Sequence, residues 1–231
     1  MLKRRGELHI IALGGSIVAP DGINLSFLKR FRAFVRAEVR RGHRFIIVTG
    51  GGGIARTYQK AARVLDGNPP NVELDAIGTR ATRLNAELVR VMFWPNVHPD
   101  VVDSPEKLLH ITQPIAVAAG WMPGYSTDTV GVRIAEELGE KRVIIAGSPA
   151  FVHEKDIRKF PKAAALPALT WPEYLDLIPR RWVPGMPAPV DPVAARRAAR
   201  MGIGICVISA SNLPNMRRLL NGERYRGTNI A

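Results

Sequence analysis

Sequence patterning predicts an α/β fold in which a mostly parallel sheet is covered by helices on both faces, a three-layer αβα sandwich. Three observations predict it. Short, wholly apolar runs of strand length alternate with longer amphipathic runs of helical period. The strand-like runs lack the polar alternation of a sheet with one wet face, so both of their faces are expected to be buried. Turns rich in Gly, Ser and Thr join strand to helix at Gly14-Gly15-Ser16, at Gly50-Gly51-Gly52-Gly53 and across Gly120 to Asp128.

Taken in order, Glu7 to Leu13 reads as a strand ending at Gly14-Gly15. Asn24 to Arg41 reads as a helix, because Phe27, Leu28, Phe31, Phe34 and Val35 recur at three- and four-residue spacing with arginines between them. Gly42 ends that helix, and Arg44 to Thr49 is a short buried strand. The four-glycine turn opens a helix over Ile54 to Leu65, and Asp66 to Asn71 is a loop. Val72 to Phe93 returns to helical period through Leu74, Ile77, Ala81, Leu84, Leu88 and Val91. A short helix (Ser104 to Leu109), a strand (Pro114 to Ala119), a helix (Thr129 to Leu138) and a strand (Arg142 to Ala146) follow. Phe151 to Leu169 reads as irregular and lysine-rich. Thr170 and Glu173 form a capping-box pattern at a helix start. Pro179 to Pro192 is a proline-rich loop, after which Asp191 starts a helix to Met201. Ile203 to Ser209 is a strand and Asn212 to Leu220 a helix.

The chain of 231 residues is long enough for a substantial core, and 46% hydrophobic with 23% charged residues fits a globular protein. No apolar run nears the roughly 18–20 residues that span a bilayer. The basic start, Met1 to Arg5, is followed by too short an apolar run for a signal peptide. Cys206 is the sole cysteine and lies in an apolar run, which predicts a buried side chain, no disulfide and a cytoplasmic setting. The net charge of +13, mostly from arginine, draws anions. Its dispersal over Lys29 to Arg44, Arg196 to Arg200 and Arg217 to Arg226 points to solvated helix faces rather than a nucleic-acid stripe.

Each glycine turn brings backbone N–H groups to a positive helix end, where phosphates bind. Any one of these features has a plainer reading. Gly14-Gly15 also suits a tight βα turn, Ser126, Thr127 and Asp128 suit a helix N-cap, and Asp75 suits a first helical turn. Three such turns together predict a cleft for two phosphorylated molecules.

The stretches Ile11 to Ser16, Val48 to Arg56 and Gly120 to Asp128 resemble the amino acid kinase superfamily. Leu74-Asp75-Ala76-Ile77-Gly78, Thr82-Arg83-Leu84-Asn85-Ala86 and the closing Arg226-Gly227-Thr228-Asn229-Ile230 resemble its archaeal UMP kinase branch. The resemblance covers essentially the whole chain. It implies the amino acid kinase (carbamate kinase-like) fold over 1–231, with an acceptor-binding part at about 1–140 and a donor-binding part at about 141–231. It implies transfer of the γ-phosphoryl of ATP, carried with Mg²⁺, onto UMP in a cytoplasmic homo-oligomer, a hexamer built as a trimer of dimers. The arginine-rich helix Asn24 to Arg41 is a candidate interface.

By that resemblance Gly15, Ser16, Arg56 and Asp191 act at the transferring group, with Asp191 organising cations there. Gly15, Ser16, Gly52, Arg56, Ser148, His153 and Asp156 fall to ATP. Gly51, Asp75, Trp121, Met122, Pro123, Gly124, Tyr125, Ser126 and Thr127 fall to UMP, with Ser126 and Thr127 donating to its phosphate. No protein-held metal is implied.

The chain departs from the family at the ATP segment, which normally runs Asn-Val-Asp-Gly-Val-Tyr and then Asp-Pro. Here Ser148, Ala150, His153 and Ile157 replace Asn, Asp, Tyr and Pro. Ala12 stands where many relatives place a catalytic lysine, and Gly53 where Lys or Ser is frequent. Lys155, Lys159 and Lys162 could supply the missing cations or form a solvated loop. These changes keep an alternative open: a catalytically weakened or inactive nucleotide- or oxyanion-binding paralogue, as in molybdenum storage proteins. Isopentenyl phosphate kinase would need a His after the second glycine turn, and Ile54-Ala55-Arg56-Thr57 has none.

Overall fold

The computed structural model describes residues 6–181 and 188–231. The basic start at 1–5 and the middle of the proline-rich loop, 182–187, lie outside the described residues.

Five adjacent strands of the sheet run parallel: β1 (Leu8–Leu13), β2 (Arg44–Thr49), β3 (Ile115–Ala118), β4 (Arg142–Gly147) and β8 (Gly204–Ser209). Their apolar residues are buried on both faces, which is why they read as unbroken hydrophobic runs. The C-terminal strand β9 (Thr228–Ile230) adds antiparallel to β8, and β7 (Ala168–Leu169) adds parallel to β9, giving the order β3-β2-β1-β4-β8-β9-β7. Chain order reverses between β1 and β4, and such a switch point opens a crevice at the carboxyl ends of the strands.

Helices α2 (Leu25–Arg40), α4 (Asn71–Val91) and α8 (Leu213–Leu220) cover one face. There Phe27, Phe31 and Val35 of α2 pack with Ile11 and Ile47 of the sheet, and Met216 and Leu219 of α8 join the same core. The other face is covered by α5 (Thr127–Leu138), α6 (Trp171–Leu177) and α7 (Pro192–Met201). Here alanines 194, 195 and 198 allow α7 to lie close to the sheet beside Val130 and Ile134. A fully buried residue of the Ile or Phe class contributes about 1.5–3 kcal/mol relative to exposure. Cys206 is buried in the first core, as its apolar context required.

Two helices sit over the carboxyl ends of the strands. The one-turn α1 (Gly15–Val18) follows β1 directly, and α3 (Gly52–Asp66) packs on α4 rather than on the sheet. Helix α3 starts at Gly52 and α5 at Thr127, two residues earlier than the apolar periodicity indicates, because the polar and glycine turn residues at each start carry no apolar signal. Pro105–His110 is a 3₁₀ rather than an α-helical turn.

One expectation is corrected. Phe151 to Leu169 is not irregular: β5 (Val152–His153) and β6 (Ala165–Leu166) form a small antiparallel hairpin, and β7 extends the main sheet. Two-residue strands carry no readable period, and their pairing comes from Thr228, whose Oγ1 accepts from Val152 N at 2.9 Å and donates to Leu166 O at 2.5 Å.

The capping box of α6 forms, with Thr170 N donating to Glu173 Oε2 at 2.7 Å. Tyr174 of that helix is fully buried, and its hydroxyl donates to Val190 O at 2.7 Å while accepting from Val190 N at 2.8 Å. Tyr174→Phe strands two buried backbone groups and is expected to destabilise by about 1–3 kcal/mol. A shift in the urea midpoint checks this; an unchanged midpoint contradicts it.

Candidate functional site

The three glycine turns meet at the carboxyl ends of β1, β2 and β3. Gly14 N donates to Ala146 O at 2.9 Å across the switch point, and Gly50 N to Leu13 O at 3.1 Å. The contact between the first two corners is backbone against backbone. A Cβ on Gly15 would lie 2.2 Å from Gly52 N and 2.7 Å from Gly51 N, and one on Gly50 would lie 2.5 Å from Gly15 N. Gly52 adds a positive φ of 62°. The third corner closes on the same point, because a Cβ on Gly50 would come 3.2 Å from Thr127 Oγ1.

Asn85, on the buried side of α4, sets the direction of the second corner. Its Nδ2 donates to Gly50 O at 2.8 Å and to Gly51 O at 3.1 Å. In a planar trans peptide the next N–H points opposite to the carbonyl. The N–H groups of Gly51 and Gly52 therefore turn away from α4, toward Gly15. First-turn N–H groups have no carbonyl partner within their own helix, so this corner presents positive backbone dipoles.

Side chains complete the cleft. Arg56 Nη1 donates to Ser16 Oγ at 3.2 Å and Nη2 to Pro20 O at 3.0 Å, laying a guanidinium over the first corner. The loop from Gly120 to Ser126 is clamped on α4: Gly120 N donates to Thr82 Oγ1 at 2.8 Å, and Arg83 reaches Gly120 O at 3.3 Å and Trp121 O at 3.1 Å. Asp75 accepts a short hydrogen bond from Gly124 N, where φ is 88°. Burial pushes the Asp75 carboxyl up, and the Gly124 N–H partly opposes it.

Behind the loop lies a carboxylate pair. Ser126 Oγ and Thr129 Oγ1 both donate to Asp191 Oδ2, the first by a short bond and the second at 3.2 Å. Asp191 Oδ1 accepts from Val193 N at 2.7 Å and Ala194 N at 3.1 Å, capping α7. Asp191 N donates to Asp128 Oδ2 at 3.2 Å. Burial first, and the Asp191 charge second, push the Asp128 carboxyl up to about 8 against that hydrogen bond.

Gly15, Ser16, Gly51, Gly52, Arg56 and Thr127 are thus brought together, with Asp75 and Gly124 at one end and Ser126 with Asp191 behind. Trp121 turns its side chain into the core, where Nε1 donates to Val102 O at 3.3 Å, while Met122, Pro123 and Gly124 are exposed and Tyr125 is half-buried. Ser148 lies on the surface just past the end of β4. The polar contacts recorded for His153 and Asp156 are local: His153 Nδ1 lies 3.1 Å from Phe151 O, and Asp156 pairs with Arg158 at 2.6 Å. Lys155 stands over the Phe160 ring at 5.5 Å.

The Amino acid kinase family model matches residues 7–209. The chain belongs to the amino acid kinase family. A uridylate kinase of Hyperthermus butylicus is 32% identical over 216 residues, 93% of this chain and 94% of that protein. A uridylate kinase of Methanococcoides burtonii is 33% identical over 211 residues, 89% and 87% of the two chains. The crystal structure of uridylate kinase from Archaeoglobus fulgidus superposes with a TM-score of 0.81 at 26% identity, covering 97% of this chain and 100% of that one. The observed sheet with helices on both faces is the fold of this family.

Sequence reasoning gave no role to Asn85, Arg83 or Asp128, although all three fall in stretches that carry the family resemblance. The available signal for Asn85 was a polar residue beside the apolar face of α4; Asp128 was hidden because an N-cap cluster already accounted for it. Between the ordinary carboxyl range and about 8, native Asp128 holds a proton that the unfolded chain has lost, so its contribution to stability falls as pH rises through that window. The stability difference between the wild type and Asp128→Asn, from urea midpoints at pH 5 to 8, is expected to move steadily in the variant's favour with rising pH. A difference independent of pH contradicts this.

Proposed function

We propose that the protein is a UMP kinase, moving the γ-phosphoryl group of ATP to the phosphate of UMP to give UDP. The observation that carries this reading is the meeting of three glycine corners at the carboxyl ends of β1, β2 and β3, together with homology over 93% of the chain to a uridylate kinase. The acceptor is a phosphate that is already anionic near neutral pH, so the reaction needs alignment and charge neutralisation and no general base. In this reading Gly51, Asp75, the stretch Trp121 to Thr127 and the acceptor part at 1–140 hold UMP. Gly15, Ser16, Gly52 and Arg56 hold the transferring phosphates, and Ser148, His153 and Asp156 in the part at 141–231 serve ATP.

Ser126 is already engaged with Asp191, so Thr127 and the corner amides are the donors best placed for an acceptor phosphate. Arg56 and the N–H groups of Gly51 and Gly52 neutralise charge building between the two phosphates. Mg²⁺ enters with ATP and supplies further neutralisation. The donor set at this centre fits that route, because both Asp191 oxygens already accept two hydrogen bonds each, leaving phosphate oxygens and water as the ion's main ligands. Assembly as a homo-oligomer of the trimer-of-dimers kind, in the cytoplasm, belongs to the same reading.

A second reading, nucleotide binding without turnover, is favoured by one feature: the replaced segment Ser148 to Ile157, where the side chains of His153 and Asp156 are engaged with neighbours two residues away. A coupled assay with Mg²⁺, ATP and UMP separates the two. UDP formation is expected from the wild type, and Arg56→Met is expected to lower kcat about 10²-fold with little change in melting temperature, since Arg56 is exposed. Absence of UDP at millimolar substrates, with UMP but not ATP raising the melting temperature, contradicts the first reading in favour of the second.

A further inference from the structure

At the opposite end of the sheet, by the amino ends of β1 and β2, Glu7, His9 and His43 bring their ligating atoms within 4.8 Å of one another. His9 Nε2 and His43 Nδ1 face each other at 2.9 Å, with the rings tilted by 48°. A tetrahedral Zn²⁺ with bonds of about 2.0 Å places neighbouring ligand atoms about 3.3 Å apart, so these two nitrogens need to separate only slightly to share one ion. We propose that Glu7, His9 and His43 form a binding site for a divalent transition ion of the Zn²⁺ class, completed by water.

Surroundings that serve no part of the nucleotide cleft support this. Glu38 is completely buried on α2, and its Oε2 has no hydrogen-bond partner, yet lies 4.0 Å from His43 Nε2. Its Oε1 is held by Arg217 at 2.6 Å, and Arg41 Nε stands 3.6 Å from Oε2. A buried carboxylate that accepts from the far nitrogen of a histidine leaves the near nitrogen free as a ligand, and Glu38 Oε2 has to close in from 4.0 Å to do this for His43. His43 Nδ1, facing His9, is that near nitrogen.

His9 is buried, which fixes its ring beside His43, and Nε2 becomes a ligand when the ring carries its proton on Nδ1. Arg142 takes one oxygen of Glu7, with Nη2 to Oε1 at 3.1 Å, and leaves Oε2 for an ion. The turn that presents His43 is fixed by Gly42 at φ 99°, and it packs so tightly on the incoming chain that a Cβ on Gly6 would lie 1.5 Å from Gly42 O. Two imidazoles and one carboxylate suit Zn²⁺ far better than Mg²⁺ or Ca²⁺, which favour all-oxygen sets.

The test is equilibrium dialysis of the tag-free protein, stripped with chelator, against micromolar free Zn²⁺, with metal content measured per chain. One ion per chain is expected. Glu7→Gln alters an exposed ligand and should keep the metal-free melting temperature, while His43→Gln, at a mostly buried ligand, should keep the fold by circular dichroism and weaken binding by more than 100-fold. Glu38→Gln, which removes an outer partner, is expected to weaken it about 10–100-fold. Co²⁺ in place of Zn²⁺ should give the visible absorption of a four-coordinate site in the wild type and not in His43→Gln. Failure of the wild type to retain Zn²⁺, or equal retention by wild type, Glu7→Gln and His43→Gln, overturns the proposal. None of these readouts depends on kinase activity.

Discussion

The structure depends on how closely two backbones approach at the carboxyl ends of β1 and β2. Gly15 and Gly50 to Gly52 pack main chain against main chain, at separations that leave no room for a β-carbon on Gly15, Gly50 or Gly52. That contact removes side chains from the carboxyl ends of β1 and β2, beside the switch point between β1 and β4. It leaves peptide N–H groups as the lining of the crevice, and it places α1, α3 and α5 with their positive ends close together. Everything else at this end of the molecule holds that arrangement in place.

The holding is done from α4. Asn85 takes the two glycine carbonyls, Thr82 and Arg83 take the start of the third loop, and Asp75 takes Gly124 farther along. One helix therefore sets the second and third corners relative to each other. Arg56 from α3 ties the first corner to the second through Ser16. Asp191 performs the same service from the far side of the sheet, capping α7 while fixing Ser126, the N-cap of α5, and Thr129 in its first turn. An electrostatic site made of main-chain dipoles is only as good as the rigidity behind it, because its donors gain nothing from reorganising during the reaction.

The central strands and the long helices were legible in the sequence because burial on both faces writes an unbroken apolar run, and burial on one face writes a 3.6-residue period. Phe27, Phe31 and Val35 announced α2 in this way. The hairpin at Val152 and Ala165 and the edge strand Ala168–Leu169 were not legible, since strands of two residues are set by partners such as Thr228, distant in sequence. The three corners were readable as turns, but their contact was not, because a glycine in sequence does not say what it lies against. Asn85 and Arg83 act through backbone carbonyls, which leave no complementary residue to find. The pairing of His9 with His43 was invisible for a related reason: neither lies in a spaced metal motif, and only the register of β1 with β2 brings them together.

Hydrogen–deuterium exchange with mass spectrometric readout, with and without UMP plus a non-hydrolysable ATP analogue, tests the central claim most directly. The account predicts joint protection of peptides containing Gly15–Ser16, Gly51–Gly52 and Ser126–Thr127, growing in parallel with ligand concentration. Protection confined to one corner, or appearing elsewhere while all three corners exchange as before, would contradict it.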